Sequence, residues 1–505
     1  MRRINLATLL LIAALGPSAA AVPQFPDDVV PREWKPAPEM KKITDAAWDI
    51  HDEEGLLDYI ETIEKTLAEH PDWLDLHRFY FLVAARTNRV PEIQAKYREM
   101  ATQDTTNPDM HYLRGLVEPG PAGADDYRKA LSLDENHYHA RCALGLGLAT
   151  GDSSGIAEGF EHLFRALRSR PDHPYAYQAL AMAYEKGGTD FAQALKVARL
   201  WQKVEPESVQ PVRHEMEALK HLGQPTEAQA RLEAFVEQRP DNPAALRLLI
   251  STYEKAGRAE EVERLQIRLA EISKDDPYEA YRTAQLMASK EQKETTLRWL
   301  RTAAERGLDN PRQVESDPSF AFVRNEPQYA EALQMTQQTR TKKIPAMKAK
   351  LLSELITKPA PPFSVETLGG NEISLATLKG KVVVLDFWST WCKPCQLTLP
   401  LVQKLHETMK DQPVKILCMN VWERGGGRAQ IDTYWKANSY PMEVGLGSSE
   451  DAKNYGVTGV PALFVIDQQG QIRYQHRGFT AFMDEEIAWV VDSLLGQSDQ
   501  GARIE

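Results

Sequence analysis

Prolines recur in this chain at a nearly fixed interval. Pro171, Pro206 and Pro240 lie 35 and 34 residues apart, and Pro243 and Pro277 are again 34 apart. They sit in polar turn punctuation: RPDHPYA at 170–176, EPESVQP at 205–211, RPDNPAA at 239–245 and KDDPYEA at 274–280. Between the turns, from about residue 44 to 340, the sequence is rich in Ala, Leu, Glu, Arg and Gln, with apolar residues at helical spacing. Proline lacks an N–H and clashes with the turn before it, so it ends the second helix of a pair. A period of this length predicts a helix–turn–helix unit that buries its apolar face only by stacking on its neighbours.

The internal positions agree. Within 175–206, Tyr184, Ala194 and Pro206 occupy aromatic, small and closing-proline places, and LISTYEKAGR at 249–258 repeats LAMAYEKGG at 180–188. A degenerate unit precedes them at 133–152, another is expected at 56–108, and DPSFAFVRNEPQYAEAL at 317–333 has the look of a closing segment. The stretch from about 45 to 335 resembles tetratricopeptide-repeat proteins. That resemblance implies an α-solenoid whose concave face binds peptide or protein. No catalytic constellation is visible there: His137, His139, His162 and His173 are scattered and expected to be solvated or structural. Cys142, near Ala140 and Ala143, is expected to be a small buried hydrophobe.

The N-terminus has a different character. Arg2 and Arg3 precede an apolar run from Ile4 to Leu15, and PSAAA follows at 17–21. This is the pattern of a secretory signal peptide, with cleavage expected near Ala21, and the apolar run is too short to span a bilayer. No cysteine follows it at once and no later stretch is apolar for long enough to span, so a soluble exported protein is expected, periplasmic in a Gram-negative source. The net charge of −12 argues against a nucleic-acid surface. Four cysteines on 505 residues are too few for a disulfide framework, and only Cys392 and Cys395 are close in sequence.

ITKPAPPF at 356–363 cannot continue a helix, and a linker is placed at 341–357. Strand patterns follow. A hairpin is expected over 363–381 around Gly369 and Gly370, with short apolar strands at 382–387 and 414–421 and a second hairpin over 462–478 around Gln469 and Gly470. Helices are expected near 393–410, 428–438 and 481–495. Alternating strands and helices with a C-x-x-C at the end of the first central strand predict a thioredoxin-like α/β fold. The expected organisation is a signal peptide (1–21), an N-terminal extension (22–43), helical repeats (44–340), the linker, a thioredoxin-like domain (358–496) and a tail (497–505).

FWSTWCKPC at 387–395, Pro400 and GVTGVPALFVID at 456–467 closely resemble thioredoxins. The leading stretch PPFSVETLGGNEISLATLKGK and the extra segment 423–452 resemble the exported TlpA-like reductases, the branch that includes cytochrome-c-maturation proteins. The resemblance covers about 358–496. It implies a redox-active disulfide between Cys392, the nucleophile at a helix start, and Cys395, the resolving thiol. Pro461 maps to the family's cis-proline. Val460 before it would offer backbone groups to an extended substrate, and Trp391 would cover one side of the pair. Asp386, six residues before Cys392, stands where thioredoxins carry a buried acid that shuttles the resolving thiol's proton. TlpA-like proteins often carry Asn there, with a Glu three residues after the second cysteine, where this chain has Thr398. Lys393, Pro394 and Cys418 are candidate modulators; Cys418, standing where thioredoxin has a lysine near the acid, is read first as a buried inert thiol and second as a group that alters the surroundings of Asp386.

These residues predict a thiol–disulfide oxidoreductase without cofactor or metal, a reductase rather than an oxidase or isomerase. Protein disulfides and an upstream redox partner are its expected partners, with the repeat binding client or partner proteins. Two other readings stand beside it: a repeat scaffold with a merely docking thioredoxin-like module, and a chaperone holding a soft metal on the same two thiolates.

Overall fold

The computed structural model describes residues 22–48 and 53–496, apart from 88, 119, 153 and 187–189. The expected signal peptide and tail lie outside the described residues. Two compact units divide between Arg306 and Gly307.

In the first unit, α1 (Pro38–Trp48) and α2 (Glu53–Glu69) precede a run of helix pairs. The first pairs are α3 (Leu74–Arg86) with α4 (Val90–Gln103), α5 (Pro108–Val117) with α6 (Pro121–Leu133), and α7 (Tyr138–Thr150) with α8 (Ile156–Ser169). Next come α9 (Pro174–Lys186) with α10 (Phe191–Val204) and α11 (Gln210–His221) with α12 (Pro225–Gln238). The last are α13 (Pro243–Lys255) with α14 (Ala259–Ile272) and α15 (Pro277–Ser289) with α16 (Lys293–Glu305). The helix starts explain the sequence period. Asn107, His137, Asn242 and Asp276 each cap the first helix of a pair by accepting a backbone N–H through the side chain. Pro108, Pro243 and Pro277 follow three of these caps, where a missing N–H costs nothing. Close helix crossing requires small residues: a Cβ at Gly159 of α8 would collide with the backbone of Ala149 in α7.

The second unit begins with helices. α17 (Pro311–Ser316), a 3-10 turn (Pro318–Val323) and α18 (Pro327–Ser353) precede the sheet. Residues 341–353, expected as linker, are therefore helical, and α18 runs through Pro345. Contacts with the domain that follows explain this. Arg312 and Arg340 lie over the Phe482 ring at 4.6 and 3.1 Å and pair with the carboxylates of Asp484 and Glu485. Leu351, Leu352 and Leu355 pack on the domain core. Residues 317–333, expected to close the repeat, belong to this second unit.

The sheet opens with β1 (Lys358–Pro359), and β2 (Ser364–Glu366) and β3 (Glu372–Ser374) form a separate hairpin. β4 (Val382–Trp388), β5 (Val414–Asn420) and β6 (Glu443–Leu446) run parallel, while β7 (Ala462–Ile466) and β8 (Gln471–Arg477) are antiparallel additions. The strand order is β1-β8-β7-β4-β5-β6. Helices α19 (Lys393–Met409), α20 (Gly427–Ala437), α21 (Ser449–Asn454) and α22 (Met483–Leu494) complete the fold. β4 is buried along all seven residues, which explains its unbroken apolar run. Val384, Trp388, Cys418 and Val465 face one core with α19 and α22; Val383, Leu385, Phe387 and Phe464 face the other with the hairpin. No helix among the described residues is long and apolar enough to cross a membrane.

Candidate active site

The central parallel strand β4 ends at Trp388, and the chain turns through Ser389–Trp391 into α19. Cys392 caps that helix: its Sγ accepts the backbone N–H of Cys395 at 3.1 Å. Pro394 occupies the first turn, where its missing N–H is no loss, and Pro400 lies inside the helix. Cys392 and Cys395 are joined by a disulfide, and both are buried. A sulfur at this place sits where helix N–H groups and the helix dipole favour negative charge. The Val460–Pro461 peptide bond is cis, and the Val460 carbonyl lies 3.4 Å from Cys392 Sγ. Trp391 is exposed beside the pair and donates its indole N–H to the Trp422 carbonyl at 2.9 Å. Lys393 is exposed.

Asp386 is fully buried, and neither carboxylate oxygen finds a hydrogen-bond partner among the described residues. Burial alone pushes its pKa up to about 7. Alternation along β4 places it between Val384 and Trp388, on the face that carries Cys392, Cys395 and Leu399. Its register partner on β5 is Cys418. Burial, and then the Asp386 carboxyl, push the Cys418 thiol well above its ordinary value. Thr398, where related proteins carry a Glu, is buried and donates its hydroxyl to the Cys395 carbonyl at 3.0 Å. The sequence-predicted residues therefore gather at one end of the sheet, with Cys418 behind Asp386.

Among the described residues one other group could hold a metal ion: Asp75, His139 and His173, in the helical unit. Its bonding suits a hydrogen-bond hub better. His173 Nδ1 accepts the Tyr175 backbone N–H at 3.2 Å, so its proton sits on Nε2, which donates to Asp75 at 2.8 Å. A metal-bound imidazole would need its proton on Nδ1 instead. Arg78 also pairs with Asp75 at 3.4 Å and supplies the positive charge a cation would bring. His137 repeats the arrangement, accepting the Ala140 N–H and holding Asp109 at 2.9 Å.

Residues 356–475 match the AhpC/TSA family, and residues 219–286 match the tetratricopeptide repeat. Thiol-disulfide oxidoreductase ResA of Bacillus thuringiensis subsp. konkukian is 34% identical over 123 residues, covering 24% of this chain and 70% of that protein. The C-terminal domain belongs to the ResA-like thiol-disulfide oxidoreductases. Thioredoxin-like protein YneN of Bacillus subtilis is 30% identical over 119 residues, covering 24% of this chain and 69% of its own. A thiol:disulfide interchange protein of Chlorobium tepidum is a similar solved structure, with 27% identity and a TM-score of 0.25, covering 28% of this chain and 98% of that one. The helical region before this oxidoreductase domain carries tetratricopeptide repeats.

Sequence reasoning missed one feature of the oxidoreductase site. Glu423 accepts the Thr390 N–H at 3.1 Å and hydroxyl at 2.6 Å, the Asn420 amide at 3.0 Å and the Gln430 amide at 3.4 Å. Burial acts to raise its pKa, but these hydrogen bonds win and hold it below the usual carboxylate range. Arg424 stacks over the Trp391 ring at 4.1 Å. Trp422 has a φ of 55°, a conformation a bulky residue rarely adopts, and so aims its carbonyl at the Trp391 indole. Next to this loop a groove of ≈ 610 Å³ is lined by Thr390, Trp391, Gln396, Gln430, Thr433 and Tyr434. The run WERGGGR at 422–428 was the available signal, three glycines after two charges in an insertion.

Proposed function

We propose that the chain is an exported protein-disulfide reductase that works through Cys392 and Cys395, with the repeat bringing client or partner proteins to it. The observation that carries this is the placement of Cys392 Sγ on the Cys395 N–H at the start of α19. In the reduced form the same N–H stabilises the Cys392 thiolate, which is the nucleophile. It attacks one sulfur of a client disulfide, forming a mixed disulfide and releasing the other client sulfur as thiolate. Asp386, ionised near neutral pH, takes the proton of Cys395. The Cys395 thiolate then attacks Cys392 Sγ, re-forming the internal disulfide and releasing the second client thiol. Two electrons pass from the dithiol to the client, and an upstream thiol reductant returns them. No step needs a cofactor.

Val460 and Pro461 present backbone to the client chain, Trp391 flanks it, and Cys418 tunes Asp386 from the neighbouring strand. The reducing direction is supported by the Lys393–Pro394 pair and the TlpA-like frame. Export is supported by the charged, apolar and small-residue order of residues 2–21. The test is Cys395→Ala, which leaves mixed disulfides on Cys392 unresolved. Trapped adducts, released by dithiothreitol and absent with Cys392→Ser, are expected. No adducts, together with no insulin-disulfide reduction by the wild type, contradicts the reading.

A further inference from the structure

Residues 22–34, VPQFPDDVVPREW, cross α8, α9 and α10 as an irregular strap that turns at Asp27–Asp28. Pro23, Pro26 and Pro31 keep such a segment out of helix. Its contacts are those of a peptide in a groove. The Tyr184 hydroxyl donates to the Pro23 carbonyl at 2.8 Å, and the Gln193 side chain accepts the Phe25 N–H at 3.1 Å. Farther along, the Trp34 N–H donates to the Val204 carbonyl at 2.8 Å. Phe25 is 4% exposed, sunk into the repeat core edge-on to Phe164, with the Lys196 ammonium 5.4 Å above its ring. Asp27 pairs with Lys196 at 2.6 Å, and Asp28 with Arg168 at 3.1 Å.

We propose that the channel along α8 and α10 is a peptide-recognition groove that residues 23–34 fill in cis. Its partner in trans is a client segment with an aromatic anchor followed by two carboxylates at a turn. The groove's own features specify that chemistry: side chains that capture backbone groups, a pocket for one ring, and two cations spaced for adjacent acids. Exchange requires withdrawing Phe25 and the core contacts of Val22, Val29 and Trp34, to which the ion pairs add little. Both ion pairs are exposed, Asp27 at 92% and Asp28 at 64% of the side chain, where such pairs contribute little. No strand or helix ladder ties the strap down. A tethered strap competes at high effective concentration, so the groove opens to clients only when the strap is released. The proposal rests on reading the repeat as a client-binding module and is independent of the thiol chemistry.

The test is fluorescence anisotropy of a labelled peptide of residues 22–34 against the full chain. Phe25→Ala in the chain removes the cis competitor's anchor, and about tenfold tighter peptide binding than to wild type is expected. The same peptide carrying Phe25→Ala should not bind. Asp27→Lys with Asp28→Lys in the chain changes only exposed groups, leaves the fold intact, and should tighten binding about threefold. Unchanged affinity in both chain variants overturns the proposal. So does hydrogen exchange of the Phe25 and Trp34 amides as slow as in α9, because the strap would then be fixed core. A wild-type dimer whose strap is supplied by the second copy also overturns it. Insulin-disulfide reduction in the same variants reports on the redox reading separately: intact reduction with no peptide binding removes only the groove.

Discussion

Asp75 in the helical unit and Asp386 in the redox unit are the same side chain put to opposite uses. Asp75 is met by two histidines and an arginine: His139 at 3.2 Å, His173 at 2.8 Å and Arg78 at 3.4 Å. Burial acts to raise its pKa, but the histidines win and hold it well below the usual carboxylate range. Asp386 meets no donor among the described residues and is pushed up to about 7 by burial. A buried acid with partners is a fixed charge that ties repeats together. A buried acid without them changes protonation near neutral pH and can move a proton. The cysteines divide in the same way. Burial pushes Cys142 up to about 12 in the repeat, where it packs as a hydrophobe, while Cys392 sits on a helix start.

The largest effect expected of any substitution is on turnover. Cys392→Ser should abolish insulin-disulfide reduction while leaving the thermal melt of the repeat unchanged; residual reduction above the uncatalysed rate would break the assignment. Stability then separates the two acids by sign. The folded pKa of Asp386 lies above its unfolded value, so the folded state binds the proton more tightly. The resulting penalty on folding is absent below about pH 4, grows as pH rises, and is complete above about pH 7. Asp386→Asn should therefore stabilise the redox unit at pH 8 by up to about 4 kcal/mol and flatten its stability between pH 4 and 7. Asp75→Asn leaves Arg78 and two imidazoles short of their acceptor and should destabilise the helical unit by about 2–3 kcal/mol. Denaturant titrations of both variants check this, and a shared sign would erase the comparison.

A smaller effect is expected at Cys418. Cys418→Ser sets a stronger hydrogen-bond donor beside Asp386 and should lower the midpoint of the pH–rate profile by about 1 unit. An unmoved midpoint would mean that the two strand partners do not sense each other. Arg424→Ala, which removes the cation from the Trp391 face, should cost about 0.5–1 kcal/mol and appear as a two- to fivefold rise in KM for a protein client.

Legibility in the sequence followed distance along the chain. Cys392, Cys395 and Asp386 lie within ten residues, on one strand and the helix after it, and the thioredoxin resemblance implied their proposed roles from that local stretch. The repeat was legible because caps and prolines recur locally, at the same place in each unit. Glu423 was not, since it bonds Thr390 across 33 residues, and the run WERGGGR around it marks an unusual loop but not its partner. The strap and α18 were hidden for the same reason. Phe25 is buried by residues some 140 positions away, and Arg312 and Arg340 are fixed on Phe482 from the far end of the domain. Pro345 and the prolines at 359–362 mark a helix end in sequence, whereas packing of Leu351 and Leu352 carries the helix to Ser353.

The pH dependence of insulin-disulfide reduction, measured on the wild type, Asp386→Asn and Asp75→Asn at a temperature where all three are folded, tests the central claim most directly. The account predicts an inflection near pH 7 in the wild type and in Asp75→Asn that disappears in Asp386→Asn. An inflection that persists in Asp386→Asn would contradict it.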